Sequence, residues 1–335
     1  MAPTWRKQKT MRVLVFSGLF SVLISAVIPL SVYAADNPEM GNRYVLEDTE
    51  VTTIPASRLH RDYQILVSLP ATYKSRPHDK FPVIFLTDAD YGFPVVRSIA
   101  NRMNDHGAGM EDAVIVGLSY AIGDSPAFSR RRDYTPTPNG DGGVKPDIQG
   151  RPPIYGEAKE YQDYIERDIF PYVAAHYHVD MKNKIYLGHS YGGLFGVYCL
   201  LTKPEMFQHY IFGSPSLWFD NHVMFKLEDA YARTHGDLQA DIYAGVGSTE
   251  TPDHPNNQYD MVRDLQTFIG CLRKHHYTHL KIQMRIFQGE DHLTVFPLTI
   301  THGLIHVLEP NYPKDDDISV WDRKSKYGSL MKSAG

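Results

Sequence analysis

Short apolar runs alternate with longer segments of helical periodicity along most of the chain. Phe81–Leu86 and Ala113–Leu118 are apolar at almost every position, which is typical of strands buried on both faces of a sheet. Gly156–Tyr177 instead carries its large apolar side chains about one helical turn apart, so it predicts a long amphipathic helix. The chain therefore has the pattern of an α/β protein, in which strands and helices follow one another.

The whole pattern predicts eight strands. Two alternating, β-rich stretches come first, Tyr44–Ile54 and Tyr63–Leu69, and they favour an antiparallel pair. The later strands are expected at Phe81–Leu86, Ala113–Leu118, Lys184–Leu187, Tyr210–Gly213, Ala240–Val246 and Leu280–Phe287. Helices are expected at Phe93–Asp105, Gly156–Tyr177, Gly193–Leu201, Phe219–Arg233, Asn257–His275 and Thr294–Leu308. Such alternation implies right-handed crossovers and a mostly parallel eight-stranded sheet with helices on both faces.

Residues 120–155 interrupt this rhythm. They contain six prolines and five glycines and show no apolar periodicity, so the sequence predicts one long irregular loop. The loop follows a central strand, at the edge of the sheet where α/β proteins bind their ligands. We therefore expect residues 120–155 to lie over the ligand site, within a single domain that spans residues 35–310.

The amino-terminal segment is set apart from this domain. Four basic residues precede an apolar stretch, Val13–Val32, and Val32-Tyr33-Ala34 supplies small residues at the two positions that a signal peptidase reads. Residues 1–34 are therefore predicted to be a secretory signal peptide cleaved after Ala34, which directs the mature protein to the periplasm or out of the cell. A retained transmembrane anchor is the alternative, but Pro29 and several serines make a poor span.

Charge and cysteine content narrow the class of protein further. The whole chain carries a net charge of −5, and loss of the four basic residues of the signal peptide takes it to −9. So acidic a protein is a poor candidate for binding nucleic acid or anionic membranes. Cys199 and Cys271 lie in apolar helical contexts and are expected to be free thiols. Residues 311–335 are polar and are predicted to form a C-terminal tail.

The pentapeptide Gly188-His189-Ser190-Tyr191-Gly192 stands between a predicted strand and a predicted helix. A G-x-S-x-G sequence in this position is typical of a nucleophile elbow, a sharp turn that holds a serine hydroxyl out above a sheet. The glycines fit a steric need, because side chains two positions before or after the serine would collide with the neighbouring strand or helix. An ordinary glycine-rich turn is the alternative, and the residues that follow later strands favour the elbow.

Candidates for two partners of Ser190 follow the seventh and eighth predicted strands. A serine hydroxyl needs a base to take its proton, and His292 lies directly after the last strand. The base in turn needs a group that holds its tautomer, for which Glu250 is our candidate and Asp253 the main competitor. The order serine, acid, histidine after strands five, seven and eight is that of α/β-hydrolases.

The oxyanion that forms when a serine attacks an ester needs preorganised hydrogen-bond donors. The backbone N–H of Tyr191, the residue after the serine, is the first candidate. The second is the N–H of Ala89 or Asp90, in the loop after the third strand. The sequence leaves open which of these two it is.

An arginine run, Arg130-Arg131-Arg132, lies in the irregular segment. One of these arginines, with Arg131 and Arg132 favoured, is a candidate for pairing with an anionic or catecholic group of a substrate. A structural ion pair that ties down the segment is the alternative. Tyr91 and Trp218 are further candidates for contact with the substrate.

These stretches together resemble the esterase-D-like α/β-hydrolases, and within them the periplasmic siderophore esterases of the enterobactin and salmochelin type. The matching sequences are Val83–Tyr91, Arg132–Pro136, Leu187–Gly193, Gly213–Trp218 and Gly289–His292. The resemblance covers nearly the whole domain and implies a serine ester hydrolase with Ser190 as nucleophile and His292 as base. Ala89 replaces a glycine that is usual in the family, and Leu293-Thr294 replaces small residues, so the reaction carries over better than the substrate.

The sequence thus predicts an α/β-hydrolase fold and a secreted or periplasmic carboxylic-ester hydrolase that forms an acyl-enzyme at Ser190. The expected substrate is a small acyl ester or a siderophore-type lactone. An acyltransferase that uses the same residues, and a non-catalytic binding protein on the same fold, are the alternatives. No cofactor or metal is expected, since His302 and His306, spaced four residues apart, lack an evident third ligand. Nucleic acid binding and stable membrane insertion are not expected, and the oligomeric state is left open.

Overall fold

The computed structural model describes residues 44–104, 110–140, 146–255 and 257–309. Its strands are β1 (Thr49–Ala56), β2 (Arg61–Ser68), β3 (Phe81–Leu86), β4 (Val114–Ala121), β5 (Val179–His189), β6 (His209–Gly213), β7 (Ala240–Gly247) and β8 (Leu280–Phe287). Its helices are α1 (Ala89–Asn104), α2 (Pro126–Tyr134), α3 (Ala158–Tyr164), α4 (Phe170–His176), α5 (Tyr191–Thr202), α6 (Phe219–Thr234), α7 (Met261–Lys274) and α8 (Val295–Leu308), with a π turn at Ile165–Ile169 between α3 and α4. The predicted signal peptide and C-terminal tail lie outside the described residues.

All eight strands belong to one sheet, in the spatial order β1-β2-β4-β3-β5-β6-β7-β8. β1 pairs antiparallel with β2, and β2 antiparallel with β4, while every other neighbouring pair is parallel. The predicted mostly parallel, eight-stranded sheet is confirmed, and Ser190, Glu250 and His292 do follow β5, β7 and β8. Since the carboxyl ends of parallel strands meet at the same edge of a sheet, the topology brings these three residues to one place.

Alternate residues of the central strands belong to two separate hydrophobic clusters. Phe85 on β3 and Tyr186 on β5 lie in one cluster, whereas their neighbours Ile84 and Ile185 lie in the other. Because successive side chains of a strand point to opposite faces, one cluster lies on each face of the sheet. α1 and α8 cover the face of Ile84, and the other helices cover the face of Phe85. Each fully buried side chain of this size stabilises the fold by roughly 1.5–3 kcal/mol.

The prediction of one irregular loop over residues 120–155 is wrong for its first part, because α2 occupies Pro126–Tyr134. Ser125 caps α2 by accepting a hydrogen bond from Phe128 N at 3.2 Å, and Pro126 stands at the start of the helix. Both residues are recognised signals for a helix start. The consecutive arginines hid the helix, since they remove the apolar periodicity by which a helix is recognised.

Ion pairs as well as apolar contacts fix α2 to the sheet. The Arg132 guanidinium donates to Asp133 Oδ1 at 2.8 Å and to Asp124 Oδ2 at 2.6 Å. Asp124 also accepts from Arg151 at 2.8 Å, and Asp133 accepts from the hydroxyl of Tyr63 on β2 at 2.8 Å. Arg132 and Asp133 are almost completely buried. Loss of either partner would therefore leave an uncompensated buried charge.

Two helices, α1 and α7, start furthest from their predicted positions. α1 begins at Ala89, before the predicted start at Phe93. The prediction missed these first residues because Gly92 and Pro94 give them the composition of a loop. α7 begins at Met261, later than expected. The earlier start of α1 matters for function, because it brings the N-terminus of the helix to the loop that follows β3.

Both cysteines are free thiols, as predicted: Cys199 is buried in α5 and Cys271 is half-buried in α7. The fold is therefore held by its two hydrophobic clusters and by ion pairs. In the part of the chain that the structure describes, no helix is both long and apolar enough to cross a membrane.

Candidate active site

Ser190 occupies a strained turn between β5 and α5. Its backbone angles, φ 59° and ψ −120°, lie in a region that non-glycine residues rarely adopt, at a cost on the order of 1–3 kcal/mol. The neighbouring glycines leave no room for side chains: a Cβ on Gly188 would lie 2.5 Å from the Gly192 oxygen, and one on Gly192 would lie 2.4 Å from Thr87 Oγ1. The turn has the geometry of a nucleophile elbow, for the steric reason that the sequence suggests.

Hydrogen bonds hold this turn from several sides. Ser190 N donates to Gly213 O at the end of β6 at 2.9 Å, and Ser216 N donates to Ser190 O at 3.2 Å. The buried Tyr186 hydroxyl donates to Gly192 O at 2.6 Å. The surrounding structure therefore fixes the strained conformation, which is the condition under which such strain persists in a fold.

His292 and Glu250 meet at the same edge of the sheet. Nδ1 of His292 lies 2.6 Å from Oε2 of Glu250, whose side chain is only 1% exposed. The other carboxylate oxygen, Oε1, accepts hydrogen bonds from the Ser214 hydroxyl at 2.6 Å and from Gly247 N at 2.8 Å. Glu250, and not its competitor Asp253, is the carboxylate that contacts His292.

Ser190 and His292 line one cleft with a volume of about 310 Å³, and Ser216, Trp218 and Tyr259 contribute to its walls. This volume is at the lower end of the range for small-molecule sites, about 300–1,000 Å³. Among the described residues, Ser190 and His292 share no direct hydrogen bond, and Ser190 Oγ lies 3.4 Å from Ser216 Oγ. Catalytic hydrogen bonds are often long in enzymes without substrate, so this arrangement is compatible with proton transfer.

His189 packs beside His292 as a neutral ring. The centroids of the two imidazole rings are 4.6 Å apart, and the Phe296 ring lies 5.4 Å from His189. Burial, followed by the electrostatic effects of His292 and of Arg130, holds the pKa of His189 well below its ordinary value. His189 therefore adds no charge near His292 at neutral pH.

The expected oxyanion donors lie at the first residues of two helices. Tyr191 begins α5 and Ala89 begins α1, and a helix N-terminus favours negative charge. The two termini are close together, since a Cβ on Gly192 would meet Thr87. Ala89 is completely buried, whereas Asp90 is exposed. Of the two candidates for the second donor, Asp90 is the one that borders solvent.

Asp88, just before α1, is the centre of a buried polar cluster that was not predicted from the sequence. Its Oδ1 accepts from the Tyr120 hydroxyl at 2.8 Å and from Arg130 Nε at 2.7 Å, and the Tyr91 hydroxyl lies 3.4 Å from Oδ2. The Arg130 guanidinium also lies over the Tyr191 ring, 5.6 Å from its centroid. The cluster therefore connects α1 and α2 to the first residue of α5.

The three arginines of α2 have different surroundings. Arg132, a predicted substrate-binding residue, is 4% exposed and paired with Asp133 and Asp124, which corresponds to the alternative of a structural ion pair. Arg131 is half-buried. Arg130 is the arginine that contacts the elbow. Consecutive residues of a helix point in directions about 100° apart, so the run alone did not indicate which arginine faces the site.

Trp218 and Tyr259 both line the cleft and stack on each other. Their rings are parallel, with 1° between the planes and 3.8 Å between the centroids. The structure thus brings Trp218, a predicted substrate contact, to the cleft wall. Tyr259, in the loop before α7, belongs to no motif and was missed. Tyr91 is more than one third exposed, and its ring lies 5.3 Å from that of Phe296.

The paired histidines of α8 have partners of their own. Nε2 of His306 lies 2.7 Å from Asp241 Oδ1, and its Nδ1 lies 2.8 Å from Gln283 Oε1. His302 lies 3.1 Å from the guanidinium of Arg285. Within the ranges that the structure describes, no three His, Cys, Asp or Glu side chains are grouped so as to hold a metal ion.

Known proteins are similar to this chain both in sequence and in architecture. A protein-family model described as "Putative esterase" matches residues 56–306. The chain is 31% identical over 284 residues to the ferri-bacillibactin esterase BesA of Bacillus subtilis (strain 168), a match that covers 83% of this chain and 95% of that protein. It is 26% identical over 276 residues to the siderophore triacetylfusarinine C esterase of Aspergillus fumigatus, which covers 74% of this chain and 89% of that protein. Among solved structures, the siderophore hydrolase EstB from Aspergillus nidulans matches with a TM-score of 0.69 and 22% identity, over 83% of this chain and 100% of that chain.

The fold and the cleft define a serine hydrolase with the α/β-hydrolase architecture. The family model covers most of the chain, and a 31% identical esterase aligns along nearly its full length. The chain therefore belongs to this esterase family, and it is a serine ester hydrolase. The likeness to EstB, at 22% identity, supports the fold alone.

Proposed function

We propose that this esterase cleaves a siderophore-type lactone or another small acyl ester through an acyl-enzyme at Ser190. In this proposal His292 is the general base and acid, and Glu250 orients it. The observation that carries the proposal is the 2.6 Å contact between His292 Nδ1 and Glu250 Oε2, in the cleft that Ser190 lines.

The first half of the reaction forms the acyl-enzyme. Ser190 gives its hydroxyl proton to Nε2 of His292 while Oγ bonds to the carbonyl carbon of the ester. The imidazolium then gives that proton to the leaving oxygen as the C–O bond breaks, so the alcohol departs neutral. Water repeats the attack with His292 as base, which frees the acid and restores Ser190.

Glu250 keeps His292 in the tautomer that this sequence of steps needs. A proton on Nδ1 that is donated to Glu250 leaves the lone pair of Nε2 free to accept the proton of Ser190. When His292 becomes an imidazolium, the carboxylate lies 2.6 Å from Nδ1 and stabilises the new charge. Burial of Glu250 strengthens this attraction, because little water is present to screen it.

The N–H groups of Tyr191 and Asp90 are the proposed donors to the oxyanion. Both belong to the first turns of helices that start next to the elbow, α5 and α1. Removal of one such donor from a serine hydrolase lowers kcat by about 10²–10³. The buried Asp88–Arg130 pair supports the α1 end of this arrangement.

The proposed substrate class rests on the relatives and on the cleft wall. One relative is named as a siderophore esterase and another as a ferri-bacillibactin esterase, and we extend the siderophore substrate class to this chain. The stacked Trp218 and Tyr259 rings line the cleft, and in this proposal a planar acyl group packs against them, for about 0.5–1.5 kcal/mol.

We further propose that the enzyme works in the periplasm or outside the cell, after removal of residues 1–34. The basic residues, the apolar stretch and the small residues before the cleavage position support this location. N-terminal sequencing of the exported protein should find Ala35 as its first residue. An N-terminus at Met1 in the exported protein would contradict the proposal.

The central test is Ser190→Ala, assayed with a chromogenic short-chain ester and with an intact siderophore trilactone. We expect the variant to fold normally and to lose turnover of both substrates, because its nucleophile is gone. A fluorophosphonate probe should label the wild-type protein at Ser190 and leave the variant unlabelled. Undiminished turnover by Ser190→Ala would contradict the mechanism. If the wild-type protein turned over the chromogenic ester but did not cleave the trilactone, only the siderophore assignment would be contradicted.

A further inference from the structure

The loop between β6 and α6, residues 214–218, contacts both halves of the proposed catalytic centre. Ser216 N donates to Ser190 O at 3.2 Å. The Ser214 hydroxyl donates to Glu250 Oε1 at 2.6 Å. One short loop therefore links the residue that attacks the substrate to the carboxylate that orients the base.

Ser214 is buried in a backbone conformation that normally favours glycine. Its φ is 38° and its side chain is completely buried. Its N–H donates to Gly245 O on β7 at 2.8 Å, which fixes its position above the sheet. Glycine would adopt this φ without strain. The strain of a serine at this position is offset by the hydrogen bond that its hydroxyl makes to Glu250.

The donors around Glu250 fix the plane of its carboxylate relative to His292. Oε1 accepts from Ser214 and from Gly247 N, and Oε2 is the oxygen in contact with His292 Nδ1. Two donors on Oε1 oppose rotation of the carboxylate about its last torsion, which is otherwise broad. Without the Ser214 hydroxyl, Oε1 keeps a single donor and a buried charge loses one hydrogen bond.

We propose that Ser214 is a positioning residue of this esterase. Its hydroxyl fixes the rotation of the Glu250 carboxylate, and through Glu250 it fixes the tautomer and orientation of His292. Ser214 acts on the reaction only through these two residues. The inference rests on the proposed function, since it needs Glu250 and His292 to take part in catalysis.

The test is a double-mutant cycle in the purified full chain, with Ser214→Ala, Glu250→Gln and the double variant. We expect Ser214→Ala to lower kcat about tenfold and to leave KM within about twofold, because it disturbs groups that act in the transition state. In the Glu250→Gln background the same change should cause almost no further loss, since residues that act as a unit are not additive. Equal losses in both backgrounds would overturn the proposal.

Two control variants separate this role from a general loss of structure. Ser68→Ala removes an equally buried serine hydroxyl from β2 and should leave kcat and KM unchanged. Ser214→Gly also lacks the hydroxyl but relieves the positive φ, so it should be at least as stable as Ser214→Ala and lose the same activity. A folded Ser214→Gly variant with wild-type kcat would refute the role of the hydroxyl. Full activity of Ser190→Ala is a distinct outcome, which would refute the proposed function itself.

Discussion

Two buried carboxylates stand at the carboxyl edge of the sheet, and their charges are balanced in different ways. Asp88 is paired with the Arg130 guanidinium at 2.7 Å and also accepts from Tyr120. Glu250 accepts from a serine hydroxyl and a backbone N–H, and its ionisable partner in the described cleft is His292. Arg130 carries its charge at every working pH, whereas His292 is charged only when it holds a second proton.

This difference separates a structural carboxylate from one suited to catalysis. The charge of Asp88 is balanced permanently by Arg130. Asp88 therefore fixes α1 and α2, and it stabilises little additional charge on a reacting group. The charge of Glu250 is balanced by neutral donors until a proton arrives on His292. Its attraction for the imidazolium therefore appears at the step in which the serine loses its proton. Matched substitutions at the two positions should produce opposite kinds of damage.

Glu250→Gln should have the largest effect, on activity. The amide removes the negative charge and favours the wrong tautomer of His292, so we expect kcat to fall by about 10³–10⁴. The carboxamide is nearly isosteric, and the melting temperature should remain close to that of the wild type. Steady-state kinetics and thermal unfolding measure the two quantities. A fall in kcat of less than tenfold would show that Glu250 is not the orienting acid.

Asp88→Asn should have the next largest effect, on stability. The change leaves Arg130, whose side chain is 22% exposed, without its anionic partner, so we expect the free energy of unfolding to drop by up to about 3 kcal/mol. Urea denaturation measures this loss, and kcat should fall much less than in Glu250→Gln. Asp229→Asn, which breaks the exposed pair with Arg233, is the matched control and should stay close to the wild type. If Asp88→Asn lost activity but no stability, the distinction between the two carboxylates would fail.

His189, which packs beside His292, should make the stability of the fold depend on pH. Its pKa is held well below the ordinary value in the folded protein, so below about pH 6.5 the unfolded chain binds a proton that the folded chain refuses. Stability should therefore fall with decreasing pH by up to about 1.4 kcal/mol per unit from this residue. His189→Leu should make urea denaturation less dependent on pH between 7.5 and 5.5. An unchanged slope would mean that the ring is protonated in the fold.

Tyr259→Ala should have the smallest effect, and only on binding. Tyr259 stacks on Trp218 in the cleft wall, so we expect KM for an aromatic acyl ester to rise about fivefold with kcat nearly constant. Tyr172→Ala, which removes a tyrosine stacked on His176 in α4, is the matched control. A lower kcat at unchanged KM would assign Tyr259 to the chemistry instead of the cleft wall.

The fold and the positions of Ser190 and His292 could be predicted from the sequence, because their signals are local. The elbow at Ser190 has a spacing set by steric limits, and strand order alone points to His292. The sequence favoured Glu250 over Asp253 without deciding between them, since the choice depends on how one short loop turns after β7. The Asp88–Arg130 pair and the role of Ser214 join segments far apart in the chain, and only the packed sheet brings them together.

The two unpaired cysteines have a practical consequence for handling this enzyme. Burial raises the pKa of both thiols above the ordinary range, so they stay protonated at neutral pH and react slowly with oxidants. No covalent cross-link between Cys199 and Cys271 has to form during folding. The same fold is therefore accessible in a reducing and in an oxidising compartment, and protein produced in a reducing compartment should be as active as protein produced in an oxidising one.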